Sequence, residues 1–422
     1  MRLRRAACGL MAVVCCGQQR LTLAEAEQIA LRNHPAIQSA EFTAQAAGQL
    51  ITETRSAELP TIFGSVTGAG ALPGSRLAAG ALNNPIIYNR LASGVTASQL
   101  VTDFGRTGNL VASARSRAEA ESQNTETIKS QVILAVEQTY FSVLRAQAVL
   151  TVARETVRAR QTVADQVKAL TDSKLKSQLD LSFANVNLAG AKLDLASAEN
   201  DLKASVADFA TALAMPSQQN FQLADEPLPP DMPADLNDLV NDAIRRRPEL
   251  ASLRAQFSAA EQFARAEKDL SFPTISSLAS VGYIPTGQAA LRDRYGAIGI
   301  NINIPIFNGR LFRARQTEAE LRSQAASQRV KDTENRVARD VRVAYLNALN
   351  AYERLGLTAQ LLDQAKLGLG LAQSRYELGL GSIVELSQAQ LNQTSAEIES
   401  ARAKYDYQAR RAILAYQTAT IR

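Results

Sequence analysis

AIGININIPIFNGRLFRARQTEAELRSQAASQRV, residues 297–330, holds two kinds of pattern in one stretch. Ile298, Ile300, Ile302, Ile304 and Ile306 alternate with Gly299, Asn301, Asn303 and Pro305. A strand built this way carries isoleucine on one face and small or polar groups on the other. From Arg310 to Leu355 there is neither Gly nor Pro, and the same is true from Asn109 to Ala189 and from Ser382 to Arg422. Without the residues that interrupt helices, these stretches are expected to be long helices. Val132, Val136, Tyr140, Val143, Ala146 and Leu150 recur at spacings of three and four, an apolar stripe of the kind that packs in coiled coils. A helix from residue 106 to 170 would extend on the order of 100 Å, which no compact fold can contain.

Three further segments, 61–71, 93–101 and 274–284, have the strand character of the isoleucine run. At roughly ten residues each they suit tilted membrane strands, although a half-buried strand in a soluble sheet shows the same alternation.

The two halves of the chain answer each other, which marks an internal repeat. Leu23, Ala30, Leu31, Arg32, Pro35 and Ile37 match Leu236, Ala243, Ile244, Arg245, Pro248 and Leu250, and Pro60-Thr61 matches Pro273-Thr274 at the same offset. Downstream the offset shortens, Phe104 answering Phe307 and Ser177-x-x-Asp180 answering Ser382-x-x-Glu385. The length difference falls between Gly70 and Gly94, in a stretch rich in Gly, Pro and Asn that reads as a loop. The prolines of DEPLPPDMPADL forbid a continuous helix. The expected organisation is a signal peptide over 1–17, a first repeat over 18–224, a linker over 225–235 and a second repeat over 236–422. Each repeat reads helix, two strands, very long helix, turn, helix.

Composition narrows the function. The chain is 46% hydrophobic and 21% charged, which is globular rather than disordered. Arg2, Arg4 and Arg5 precede an apolar run and small residues, the order found in secretory signals, so export is expected. All three cysteines, Cys8, Cys15 and Cys16, lie in or beside that segment, leaving no disulfide framework in the body and Cys16 as an alternative lipidation site. Three units of the formal charge of +5 belong to the signal arginines, which removes the main support for nucleic-acid binding. With a single histidine, His34, placed before Pro35 at a helix break, no Cys/His metal cluster or His-activated nucleophile is available. No glycine-rich phosphate loop follows a strand, so neither cofactor nor metal is expected and the chain does not read as an enzyme.

Beyond the signal, no apolar run approaches the roughly 20 residues of a membrane helix, so any membrane crossing must be made with strands. Four strands cannot close a barrel around a pore, and an open edge in lipid leaves backbone groups unpaired at several kcal/mol each. Closure must come from sibling chains in a symmetric ring, with the long helices continuing as a hollow tube.

At this point the chain resembles the TolC family of outer-membrane efflux proteins over nearly its whole mature length. The carriers of the resemblance are LTLAEAEQIALRNHPAIQSA at 21–40, the entries at Pro60 and Pro273, and the strand-to-helix junctions Asp103-Phe104-Gly105-Arg106 and Pro305-Ile306-Phe307-Asn308-Gly309-Arg310. Tyr376-x-x-Gly379 followed by Ser382 and Glu385 resembles the family's helix-hairpin tip. Gly105 and Gly309 suit a sharp turn from sheet to helix.

The resemblance implies a mainly α chain with four β-strands, completing a 12-stranded barrel in a homotrimer set in outer membrane lipid. It also implies a periplasmic tunnel that meets a periplasmic adaptor (membrane fusion) protein and an inner-membrane pump. It makes Glu385 and Asp180 candidates for a pore constriction, where converging carboxylates bias a pore toward cations. Each can equally be a helix-start acid favoured by the dipole. Lys174, Leu175, Gly379 and Leu380 are candidate adaptor-docking tips. Lys174 stands where the family carries glycine, which allows the first turn a different form. Gly381 stands where the family's namesake has a latch arginine, and Gln388 where that member has a second acid, so that latch is not carried over. The reading from another class is a periplasmic coiled-coil scaffold or adaptor without a pore.

Overall fold

The computed structural model describes residues 20–70, 72, 90–216, 221–228, 232, 235–285 and 292–421. The expected signal segment with Cys16, nearly all of the first loop and part of the expected linker lie outside these residues. The first half gives α1 (Leu23–Asn33), α2 (Pro35–Arg55), a 3₁₀ turn, β1 (Thr61–Ala69), β2 (Arg90–Thr102), α3 (Arg106–Asp172) and α4 (Gln178–Ala212). The second gives α5 (Leu236–Arg246), α6 (Pro248–Lys268), a 3₁₀ turn, β3 (Thr274–Tyr283), β4 (Arg294–Asn303), α7 (Leu311–Glu377) and α8 (Ile383–Gln417). Paired helices have equal lengths: α3 and α7 have 67 residues each, and α4 and α8 have 35.

Each half begins with a helix that proline breaks in two, at His34-Pro35 and at Arg247-Pro248, because proline disfavours a helical conformation in the residue before it. His34 caps α1, and its Nδ1 accepts the Ala36 N–H at 3.2 Å. This is a structural role for the lone histidine.

The chain divides into two compact units that interleave the halves. In the unit holding residues 39–127 and 247–336, the four strands form one antiparallel sheet in the order β1-β2-β3-β4. Register puts Ile298 beside Ala279 and Ala279 beside Ala97, and Ala97 pairs with Ile62, so one face is apolar across all four strands. The opposite face carries Tyr295, Gly282, Gly94 and Ser65 in one row and Ala297, Ser280, Thr96 and Phe63 in the next. Ile298, Ile300, Ile302, Ile62 and Val66 are exposed on the apolar face. A Cβ on Gly94 would sit 2.5 Å from the Tyr295 hydroxyl, and one on Gly282 would sit 2.5 Å from the same ring, so the paired glycines make room for the tyrosine.

Strand limits differ from the expected ones at several points. β2 starts at Arg90 because Arg90, Leu91 and Ala92 find partners in Ala69, Gly68 and Thr67. The first strand is described through Ala69, and the third ends at Tyr283, after which the Ile284 N–H bonds to the Asp293 carbonyl. β4 stops at Asn303, so Ile304 and Ile306 lie beyond it: Asn303 pairs with the first residue of β3, and Pro305 has no N–H to give a ladder. Small polar side chains join the helices of this unit, with the Ser113 hydroxyl donating to Ala259 O, Ser252 to Ala120 O and Asn109 Nδ2 to Asp269.

The unit holding residues 128–246 and 337–422, together with the chain start, is helical. Its largest core joins Val136, Tyr140, Val143 and Leu144 of α3 to Phe209 and Leu213, the end of α4, and to Ala26 and Ala30 of α1. The Tyr140 hydroxyl lies 3.0 Å from Leu21 O and 2.6 Å from Ala224 O, where a short bridge ties residue 21 to residue 223. The linker is held to α8, since Gln408 Nε2 donates to Glu226 O and Lys404 pairs with Asp225. Among the described residues no helix is long and apolar enough to cross a membrane.

Candidate functional site

The hairpin tips combine helix endings and helix starts that follow from single residues. At the end of α3, Lys174 takes a left-handed φ of 60°, its N–H bonds to Thr171 O, and the Leu175 N–H reaches back to Leu170 O. At the end of α7, Gly379 takes φ 74°, its N–H bonds to Tyr376 O, and the Leu380 N–H reaches back to Arg375 O. Both are Schellman endings. The first turn therefore has the same form as the second despite lysine in the glycine position. Leu175 and Leu380 occupy equivalent places and remain 71% and 69% exposed.

Each following helix starts on serine. Ser177 Oγ accepts the Asp180 N–H, and the Asp180 carboxylate accepts the Ser177 N–H and hydroxyl, a full capping box. Ser382 Oγ accepts the Glu385 N–H, but the Glu385 carboxylate turns to Arg375, 3.0 Å away. A Cβ on Gly381 would come within 3.2 Å of Arg375 Cβ and 3.3 Å of Glu385 Oε2, so glycine leaves room for this ion pair. Asp180 is thus occupied by its own helix start, whereas Glu385 is exposed and pairs across the turn.

The two hairpins pack on each other. Val167, Ala184 and Leu188 share a buried cluster with Tyr376, Ile383 and Leu386, and the Lys176 ammonium lies 4.1 Å over the Tyr376 ring. Asn187 donates to Ser387 at 2.8 Å. Burial, followed by the Asp180 charge, pushes the Tyr376 hydroxyl above its usual pKa.

At the sheet end the junction residues behave as their glycines suggest. Gly105 has φ 103° and Gly309 φ 62°, with left-handed neighbours at Phe104 and Arg310. Asp103 Oδ2 accepts both the N–H and the hydroxyl of Thr107, fixing the start of α3, while Phe104 packs on Phe272 at 5.9 Å between ring centres. Phe307 is exposed.

Two features went unread in the sequence. Glu27 of α1 and Glu137 of α3 meet at the edge of the main helical core; burial, then the neighbouring Glu27 charge and hydrogen bond, push Glu137 up to about 8. Glu27 is raised too, by burial and also by Glu226. Arg160 occupies a buried-stripe position of α3, with Ala153, Ala164 and Val167 on the same face. That arginine in an apolar 7-4-3 spacing was the available signal. Among the described residues no group of three or more His, Cys, Asp or Glu is placed to hold a metal ion.

The family model of the outer membrane efflux proteins matches residues 27–214 and 239–418. The chain is similar to the outer membrane protein TolC of Escherichia coli (strain K12), with 24% identity over 415 residues covering 92% of this chain and 80% of that protein. It is 27% identical to TolC of Vibrio cholerae over 415 residues, covering 91% of this chain and 87% of that one. Its fold matches the solved structure of the outer membrane protein VceC from Vibrio cholerae with a TM-score of 0.80 at 16% identity, covering 94% of this chain and 95% of that chain.

Proposed function

Because the chain belongs to the outer membrane efflux protein family, matched in both of its halves, we propose that it is the outer-membrane exit duct of a tripartite efflux or type I secretion system. In this reading it is a passive channel of three copies that carries out no chemistry. The observation that carries it is the sheet: four strands with an isoleucine-rich face, an opposite face mostly of small and polar residues, and two edges, β1 and β4, that have no partner strand among the described residues. In lipid such edges are untenable until another strand pairs with them. Three copies supply a closed ring of strands, with isoleucine toward lipid and Ser, Thr, Gly and Asn toward the lumen.

The helical end supports the remainder of the reading. Leu175 and Leu380, exposed at matching positions beside Lys174 and Gly379, suit docking by a periplasmic adaptor that links the duct to an inner-membrane pump. Glu385 and Asp180, brought to neighbouring helix starts, suit a narrow mouth, with Glu385 the better placed because its carboxylate is not spent on its own cap. The test is fractionation followed by reconstitution. The protein should remain in the outer membrane through a high-salt wash, run as a trimer in mild detergent and conduct ions in a planar bilayer. A water-soluble monomer would overturn the duct and favour a periplasmic scaffold.

A further inference from the structure

A cavity of about 930 Å³ between α3, α7 and α8 holds a group that the duct reading does not use. Arg160 lines it, and its side chain is only 5% exposed. Its Nη1 is buried with no hydrogen-bond partner, and no carboxylate pairs with the guanidinium among the described residues. Buried charges are ordinarily paired, because a guanidinium taken out of water without a counter-charge strongly destabilises its surroundings. Burial accordingly pulls the Arg160 pKa down. Tyr376 lines the same cavity, and its hydroxyl is likewise buried without a partner. These two donors, on α3 and α7 of the same lining, call for an acceptor, and beside Arg160 that acceptor should be an anion.

The rest of the lining selects among anions. Glu155, Glu377 and Glu397 also line the cavity, against one further cation, Lys176, and would repel a multiply charged phosphate more strongly than a single carboxylate. Val163, Val167 and Leu386 offer apolar wall to a hydrocarbon body. The guanidinium fork matches a carboxylate in two parallel hydrogen bonds. The geometry points to a binding site for an organic monocarboxylate, its carboxylate on Arg160 and its hydrocarbon on Val163, Val167 and Leu386. Tyr376 offers a second donor elsewhere on the wall. Its carbonyl also accepts the Gly379 N–H at 3.1 Å, which places the site next to the second turn.

The test titrates the full-length protein in lipid nanodiscs with octanoate, and with 1-octanol as the uncharged control, by isothermal calorimetry. Wild type should bind octanoate saturably, and Arg160→Gln should bind it at least about tenfold more weakly, as loss of a charge-assisted hydrogen bond implies. Octanol should not distinguish the two. A second variant guards against misfolding: Arg160→Met should melt higher than wild type without ligand and should lose the upward shift that octanoate gives wild type. Absence of saturable octanoate binding by wild type, or equal binding by Arg160→Gln, overturns the site. A lower melting temperature for ligand-free Arg160→Met does so as well, because it would mean that the guanidinium has a partner within the chain. The readouts are binding and melting, so the result stands apart from channel activity.

Discussion

The first and second halves of the chain repeat the same elements at the same lengths, but they carry different chemistry at equivalent places. Counting in register from the helix starts at Arg106 and Leu311, Glu137 answers Arg342, Arg160 answers Ala365, Lys174 answers Gly379, and the capping Asp180 answers the ion-paired Glu385. What the halves share is apolar stripe, serine cap and helix ending. Those features suffice for the fold, since each half reaches it with its own charges. What differs is buried charge and turn chemistry, which is where one half can acquire a property that the other lacks.

The largest break in that parallel should come from Glu137. Between the ordinary carboxylate value of 4.5 and its raised value of about 8, the folded chain holds a proton that the unfolded chain does not. The stability gained from that proton is complete below this window and is lost as pH rises through it. Wild type should therefore melt progressively lower from pH 5 to pH 8. Glu137→Gln should flatten the slope and be more stable at pH 8 by about 2 kcal/mol, as melting across that range would show. An unchanged slope would mean that the pair is ionised throughout.

The two turns offer a smaller and more direct comparison. Lys174→Gly should stabilise by about 0.5 kcal/mol and Gly379→Ala should destabilise by about 1 kcal/mol in denaturant titrations, because both positions are left-handed and only one has a residue suited to it. Equal and opposite effects would indicate that the tips are interchangeable. The smallest stability effect belongs to Arg375→Gln, under about 1 kcal/mol for a half-exposed pair. Its signature should be electrical: with Glu385 no longer neutralised, the reconstituted channel's preference for cations should rise, whereas Glu385→Gln should lower it.

Much of this architecture could be read without coordinates. The isoleucine alternation announces β4, and long runs without Gly or Pro announce α3, α7 and α8. The element limits depart from the local rule where a tertiary one overrides it. Helix α7 runs on through Gly356, Gly368 and Gly370, and α4 runs through Gly190, because nothing crowds those glycines and neighbouring turns carry the helix across them. Lys174 by residue type allows a different turn, but its N–H to Thr171 O and the Leu175 N–H to Leu170 O give it the same left-handed ending as Gly379. Glu385 was visible as a tip acid; its partner Arg375 was not, since the contact depends on the turn between them. The meeting of Glu27 with Glu137 and the isolation of Arg160 are long-range facts that no local window contains.

The tyrosine lying across two glycines has an outcome for strand register. Tyr295 lies over Gly282 and Gly94, and a two-residue slip of β4 that set it against Ser280 would bring its ring onto a Cβ. The chain's own strands are therefore indexed like the teeth of a key, with β4 held in one stagger against β3 and β2.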